Sequence, residues 1–238
     1  MVNNKTLVII PTYNEAANIS EVIHRLRGSG ADVDILIVDD NSPDGTGVIA
    51  DSLTNERTFV LHRPEKVGLG PAYLAGFSWG LAGGYSYFVE MDSDGSHQPE
   101  EIHRFLDVKE RADLVLGTRW MPEGKIVNWP LSRRLISQFG TKYATAALGL
   151  EYRDLTSGYR LLSRRLISDV LQSQLTTIGY GFQIEIVKVA SAHQRIIIEV
   201  PITFIERISG KSKLSKQIVF EAWRKTTVWG FERIIFRR

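Results

Sequence analysis

Five short runs rich in Val and Ile, at residues 6–11, 34–39, 57–61, 85–91 and 113–117, alternate with segments whose apolar residues recur at helical spacing. Those segments are 17–26, 47–53, 72–81 and 99–109. Strands that are apolar on both faces need cover on both faces, and parallel strands need a crossover to carry the chain back. The alternation therefore predicts a doubly wound α/β fold, a Rossmann-like and mostly parallel sheet with helices on both sides. The chain has 238 residues, with no repeat, low-complexity stretch or evident linker. It reads as one domain, residues 1–213, with a C-terminal helical extension, residues 214–238.

In such sheets ligands bind beyond the carboxyl ends of the strands, and the unusual polar residues keep to that edge. The first run ends in Pro11-Thr12-Tyr13-Asn14-Glu15 and the second in Asp39-Asp40-Asn41-Ser42-Pro43-Asp44-Gly45. The fourth ends in Asp92-Ser93-Asp94 and the fifth in Gly117-Thr118-Arg119. Asp92 and Asp94 can converge on one hard cation, Mg²⁺ or Mn²⁺, of the kind held by carboxylates together with substrate phosphates. Taken alone, two acids in a loop are equally a solvated turn. Ser96 has the spacing of a third contact, directly or through water, whereas His97 suits a helix start better than a ligand position.

The other clusters have bland readings too. Asp39 and Asp40 repel each other at a strand end, which a base edge or ribose would explain for one of them. Asp44-Gly45 reads as a turn and helix start. Glu15 opens a helix, where the dipole favours a carboxylate whatever its function. Tyr13 either stacks on a base or covers the sheet edge. Residues 65–72 resemble a phosphate-cradling glycine loop without its Gly-Lys-Ser/Thr ending, and read as a tight helix entry. Arg119, Arg133 and Arg134 are surface charges or, with their planar guanidinium groups, phosphate ligands.

Composition narrows the field. There is no cysteine, so disulfides and thiolate metal sites are excluded. No apolar run approaches the roughly 18 residues needed to span a bilayer, and the N-terminus carries no signal-peptide pattern. The expected location is the cytosol or the membrane surface facing it. Net charge is +2, yet from Glu199 onward nine Lys/Arg oppose four Glu, a net of +5 that leaves −3 for the rest. A basic, apolar tail with Trp223 and Trp229 suits a membrane interface or a helix packed on the domain.

Together these segments resemble the inverting GT-A glycosyltransferases of family 2, and within them the polyprenol-phosphate (dolichol-phosphate) mannose synthases. Asn128-Trp129-Pro130, Arg133-Arg134-Leu135-Ile136-Ser137, Thr156-Ser157-Gly158-Tyr159-Arg160, Gly179-Tyr180-Gly181-Phe182-Gln183 and residues 207–213 extend the likeness over nearly the whole chain. The resemblance implies transfer of mannose from GDP-mannose to a polyprenyl or dolichyl monophosphate at a membrane surface. It implies that Pro11, Tyr13, Glu15, Val38, Asp40, Asp92, Ser93, Asp94, Arg207 and Lys213 hold the donor. Asp92, Asp94 and Ser96 would hold Mg²⁺ or Mn²⁺, with the side-chain contact of Ser96 in question because some relatives have Gln there. Arg119, Arg133 and Ser137 would receive the lipid phosphate, and Asp94, Arg119 and Arg133 form the catalytic set. A membrane-anchoring partner protein is compatible with the absence of the transmembrane helices that many relatives carry. Rival readings are a UDP-glucose or other UDP-sugar donor, and a non-catalytic nucleotide-sugar-binding subunit. A nucleic-acid-binding role would leave the acidic loops unexplained.

Overall fold

Each Val/Ile-rich run forms a strand: β1 (Thr6–Thr12), β2 (Asp34–Asp39), β3 (Thr58–His62), β4 (Tyr87–Glu90) and β5 (Leu114–Thr118). The computed structural model describes residues 4–173, 175, 177, 179, 181–206 and 216–235. Helices α1 (Ile19–Gly28), α2 (Thr46–Ser52) and α3 (Leu69–Ala82) fill the first three intervals. The fourth helix is shorter than its periodicity predicts: Pro99–Glu101 is a 3-10 turn and α4 covers only Ile102–Leu106. Then follow β6 (Lys125–Val127), α5 (Leu131–Leu148), β7 (Arg160–Ser163), α6 (Arg164–Gln172), α7 (Gly181–Ala192), β8 (Ile197–Pro201), β9 (Thr203–Ile205) and α8 (Lys216–Ile235).

The main sheet has seven strands in the order β3-β2-β1-β4-β7-β5-β8, and order reverses beside β1. Only β7 runs antiparallel, against both β4 and β5. Alternate residues of β1 serve opposite cores. Leu7 and Ile9 join Phe77 of α3, Ile186 of α7 and Trp229 of α8, while Val8 and Ile10 join Val22 of α1 and Phe105 of α4. Helix α3 lies close on the sheet, since a Cβ at Gly76 or Gly80 would come within 2.7 Å of Ile9 or 2.6 Å of Phe88.

Helix α8 is attached to this body through α5 and α7. Trp229 is buried, and the Tyr143 and Thr227 hydroxyls lie 2.6 Å apart. Its Trp223, Phe231 and Ile235 are exposed, as are Leu131, Leu135, Ile136 and Phe139 of α5. Among the described residues no helix is long and apolar enough to cross a membrane.

Candidate active site

The loops after β1 and β2 are laced into one wall. Ser42 Oγ accepts the Asn14 N–H at 3.1 Å, Thr46 Oγ1 that of Glu15 at 2.9 Å, and Asp44 Oδ2 that of Ala16 at 3.1 Å. Asn14 and Asn41 take left-handed backbone at these tight exits, a conformation asparagine tolerates. Glu15 is buried and accepts from Asn18 Nδ2 at 2.8 Å. The adjacent acids separate in role. Asp39 accepts the Thr12 and Ser42 hydroxyls at 2.9 and 2.6 Å, so it braces the wall. Asp40 pairs with Arg63 at 2.6 Å, and burial pushes its carboxyl above the usual range against the pull of that guanidinium. Lys66 lies over the Tyr13 ring, 4.0 Å from its centroid. The Val38 side chain is fully buried in the core, which leaves its main chain for any ligand contact.

The Asp92-Ser93-Asp94 loop is tied to this wall, because Ser93 Oγ donates to the Pro11 carbonyl at 3.1 Å. Asp92 and Asp94 stay half-buried while Ser93, Ser96 and His97 are buried. Asp94 Oδ1 accepts the Ser96 N–H at 3.0 Å. The buried Ser96 hydroxyl has no hydrogen-bond partner among the described residues. Paired carboxylates beside an unpartnered hydroxyl form an all-oxygen donor set that fits a hard cation. No group of three or more His, Cys, Asp or Glu among the described residues could hold a metal. A cation here would thus need ligands from outside the protein, such as diphosphate oxygens. Below the loop, Arg160 is fully buried and donates to the carbonyls of Ser157, Gln183 and Leu155 at 2.7, 2.6 and 2.7 Å. Its strand neighbour Glu90 is buried too, and burial pushes that carboxyl to about 7.

The arginines lie on the far side of the loop. Ile205 N–H donates to the Ser96 carbonyl at 3.0 Å, and the Phe204 ring meets Trp129 at 5.1 Å. Arg133 and Arg119 both lie over Trp129, at 4.3 and 5.2 Å from its centroid. Arg119 is nearly buried and holds Asp154 through Nε and Nη2 at 2.7 and 2.8 Å, with Nη2 also 2.9 Å from Thr156 Oγ1. Burial opposes ionisation of Asp154, yet Arg119 keeps its carboxyl below the usual range. Arg133 bonds to Glu206, and Ser137 follows one helical turn later, half-buried on α5. Arg207 and Lys213 lie outside the described residues. Sequence reasoning passed over Arg63, Asp154 and Glu206. The strand-end rule applied to β3 and β9 names Arg63 and Glu206, whereas Asp154 carries no local signal.

Residues 7–171 match the sequence pattern of Glycosyl transferase family 2. The chain belongs to this glycosyltransferase family. This family 2 chain is 47% identical over 228 residues to the undecaprenyl-phosphate mannosyltransferase of Micrococcus luteus, covering 95% of this chain and 94% of that one. It is 46% identical over 230 residues to the polyprenol monophosphomannose synthase of Mycolicibacterium smegmatis, covering 95% and 87%. Among solved structures, glucosyl-3-phosphoglycerate synthase from Mycobacterium tuberculosis, in complex with Mn²⁺, UDP and glucosyl-3-phosphoglycerate, superposes with a TM-score of 0.69. At 20% identity, covering 97% of this chain and 79% of that one, it shares the fold. The doubly wound GT-A fold expected from the sequence is the fold observed.

Proposed function

We propose that this glycosyltransferase moves mannose from GDP-mannose to a polyprenyl or dolichyl-type monophosphate, giving a β-linked mannosyl phosphoryl lipid. One observation carries the reading. An acidic nucleoside wall, a carboxylate pair and an arginine-bearing helix meet at one sheet edge. The two relatives above are named for mannosyl transfer to such lipids.

In this reading Pro11, Tyr13, Glu15, the Val38 main chain and Asp40 hold the nucleoside, and Arg207 and Lys213 close over its phosphates. Asp92 and Asp94, with Ser96 beside them, hold Mg²⁺ or Mn²⁺, which supplies charge stabilisation for the departing diphosphate. Arg133 and Ser137 orient the acceptor phosphate, with Arg119 as the buried support of that wall. A phosphate monoester has a second pKa of about 6 and is already largely ionised at neutral pH. Its oxygen needs no general base, and direct displacement inverts the α-linked donor. Residues 1–213 form the catalytic unit and 214–238 the helical extension.

The acceptor is a membrane lipid, so the enzyme works as a peripheral protein at the bilayer surface. By helical periodicity, Leu131, Leu135, Ile136 and Phe139 lie on one side of α5, and Arg133 and Ser137 on the other. An interfacial helix sinks its apolar face about 5–10 Å into the headgroup boundary. With a helix diameter of about 10 Å, the opposite side sits at the level of lipid phosphates. The decisive assay offers the intact protein polyprenyl phosphate with either GDP-mannose or UDP-glucose. Transfer from GDP-mannose is expected. Preference for UDP-glucose would replace the donor assignment, and no transfer from either would remove the reading.

A further inference from the structure

His97, which the sequence places at a helix start, lies instead beneath the carboxylate pair with its side chain fully buried. Its Nδ1 accepts the main-chain N–H of Asp92 at 3.0 Å. That bond requires the Nδ1 lone pair, so in the neutral ring the proton resides on Nε2. Nε2 stands 3.7 Å from Asp92 Oδ2, just beyond hydrogen-bond reach, and has no hydrogen-bond partner among the described residues. The ring itself is clamped. It stacks on Tyr159 with centroids 5.0 Å apart and meets Phe204 edge-on at 5.5 Å. A β-bridge pairs the His97 and Phe204 main chains. Backbone walls the carboxylate nearby, since a Cβ at Gly158 would lie 3.5 Å from His97 Cε1 and 3.6 Å from Asp92 Oδ1.

We infer that His97 is a positioning residue: it pins the main chain of Asp92 and aims the Asp92 carboxylate at the cation. The inference rests on the reading of Asp92 as a cation ligand. Buried donors are almost always bonded, so an unpartnered Nε2–H facing a carboxylate marks a contact completed in another state. A carboxylate shift of about 0.8 Å would close it to hydrogen-bond length. Because Tyr159 and Phe204 hold the ring, Asp92 is the group that moves. Phe204 also touches Trp129, under Arg133, so the same ring fixes the spacing between the carboxylate loop and the arginine side. Partners of this kind, one bond removed from a cation, typically change its affinity about 10–100-fold.

The test measures Mn²⁺ binding to the intact chain by electron paramagnetic resonance, with GDP present, for wild type and His97 variants. His97→Phe keeps the stacking and removes both nitrogens, and should weaken Mn²⁺ binding about tenfold or more. GDP binding without Mn²⁺, read by calorimetry, should stay at the wild-type level. His97→Asn restores an acceptor for the Asp92 N–H and should recover part of the loss. Mn²⁺ binding by His97→Phe as tight as wild type would overturn the inference. If that variant does not fold, His97→Asn decides: weaker Mn²⁺ binding than wild type supports the role, and equal binding overturns it. Wild-type protein that binds no Mn²⁺ with GDP would instead remove the cation site, and the positioning role with it.

Discussion

A charged side chain becomes architecture or chemistry through its neighbours, most of which are distant in sequence. Asp39 and Asp40 are indistinguishable as adjacent acids, but Thr12, 27 residues away, engages Asp39, while Arg63 meets Asp40. Arg119 reads from the sequence as a phosphate ligand, and the structure adds Asp154, 35 residues on, held by its main-chain nitrogen and two of its guanidinium nitrogens. Arg119→Ala leaves that buried carboxylate unpaired and should reduce unfolding free energy by about 3–5 kcal/mol, measured by urea titration. Since Arg119 holds Asp154 below its usual range, the pair's contribution is present at neutral pH. It is lost as pH falls through the folded value. Activity lost in that variant would therefore say little about phosphate binding. Asp94→Ala is cleaner. The Asp94 carboxylate is half-buried, so the fold should survive while turnover drops by orders of magnitude, and near-normal turnover would remove the cation assignment. Glu206 tests the acceptor side from the opposite direction. Its carboxylate bonds Arg133, the side chain to which the proposed function assigns the acceptor phosphate. Glu206→Gln should lower the acceptor KM, and the inhibition constant for inorganic phosphate, by about two- to fivefold, the worth of a part-exposed ion pair. Unchanged constants would mean that Arg133 does not meet the phosphate.

Elements were legible where periodicity is strong and neighbours are local. Strands β1, β2, β3 and β5 lie where their apolar runs predict, because a strand buried on both faces needs nothing else to declare itself. The direction of β7 was not legible. Leu161 and Leu162 read as any buried strand, and only the pairing of Arg160 with Glu90 and Leu116 reveals the antiparallel insertion. Helix α4 is shorter than predicted: apolar spacing continues to Val108, but the backbone leaves the α-helix after Leu106 and turns 3-10 at Lys109–Arg111. Helix α5 carries Arg133 and Ser137 on one face and exposed Leu131, Leu135, Ile136 and Phe139 on the other, a second candidate for membrane contact beside the tail that the sequence suggests. A fully buried Leu or Phe side chain contributes about 1.5–3 kcal/mol, and partial insertion roughly half of that. Leu135→Ser combined with Phe139→Ser should therefore lower vesicle binding about tenfold or more in flotation. Activity on a short, water-soluble prenyl phosphate should persist. Equal flotation of variant and parent would move the contact off α5.

At the scale of the molecule, charge and apolar surface make separable contributions to the proposed docking. The last 40 residues carry a net +5 against −3 for the remainder, and α8 packs beside α5. In the proposed docking, the basic extension meets a negative surface through charge and the apolar face of α5 meets it through insertion. Each basic residue near an anionic bilayer contributes about 1 kcal/mol, and that attraction is screened within a Debye length of about 10 Å at 0.1 M salt and 3 Å at 1 M. Apolar insertion is not screened in this way. Binding to anionic vesicles should therefore weaken as salt rises and level off at a residue that matches binding to neutral vesicles. Replacing Arg224, Lys225 and Arg233 by Gln, which keeps Trp229 in the core, should shrink the salt-dependent part, whereas the α5 double substitution should abolish the plateau. A single salt-insensitive affinity for both kinds of vesicle would mean that charge has no part in docking. Binding that vanishes entirely at high salt would mean that α5 does not insert. Either result separates charge from insertion at a contact that the sequence suggests for the basic, apolar tail alone.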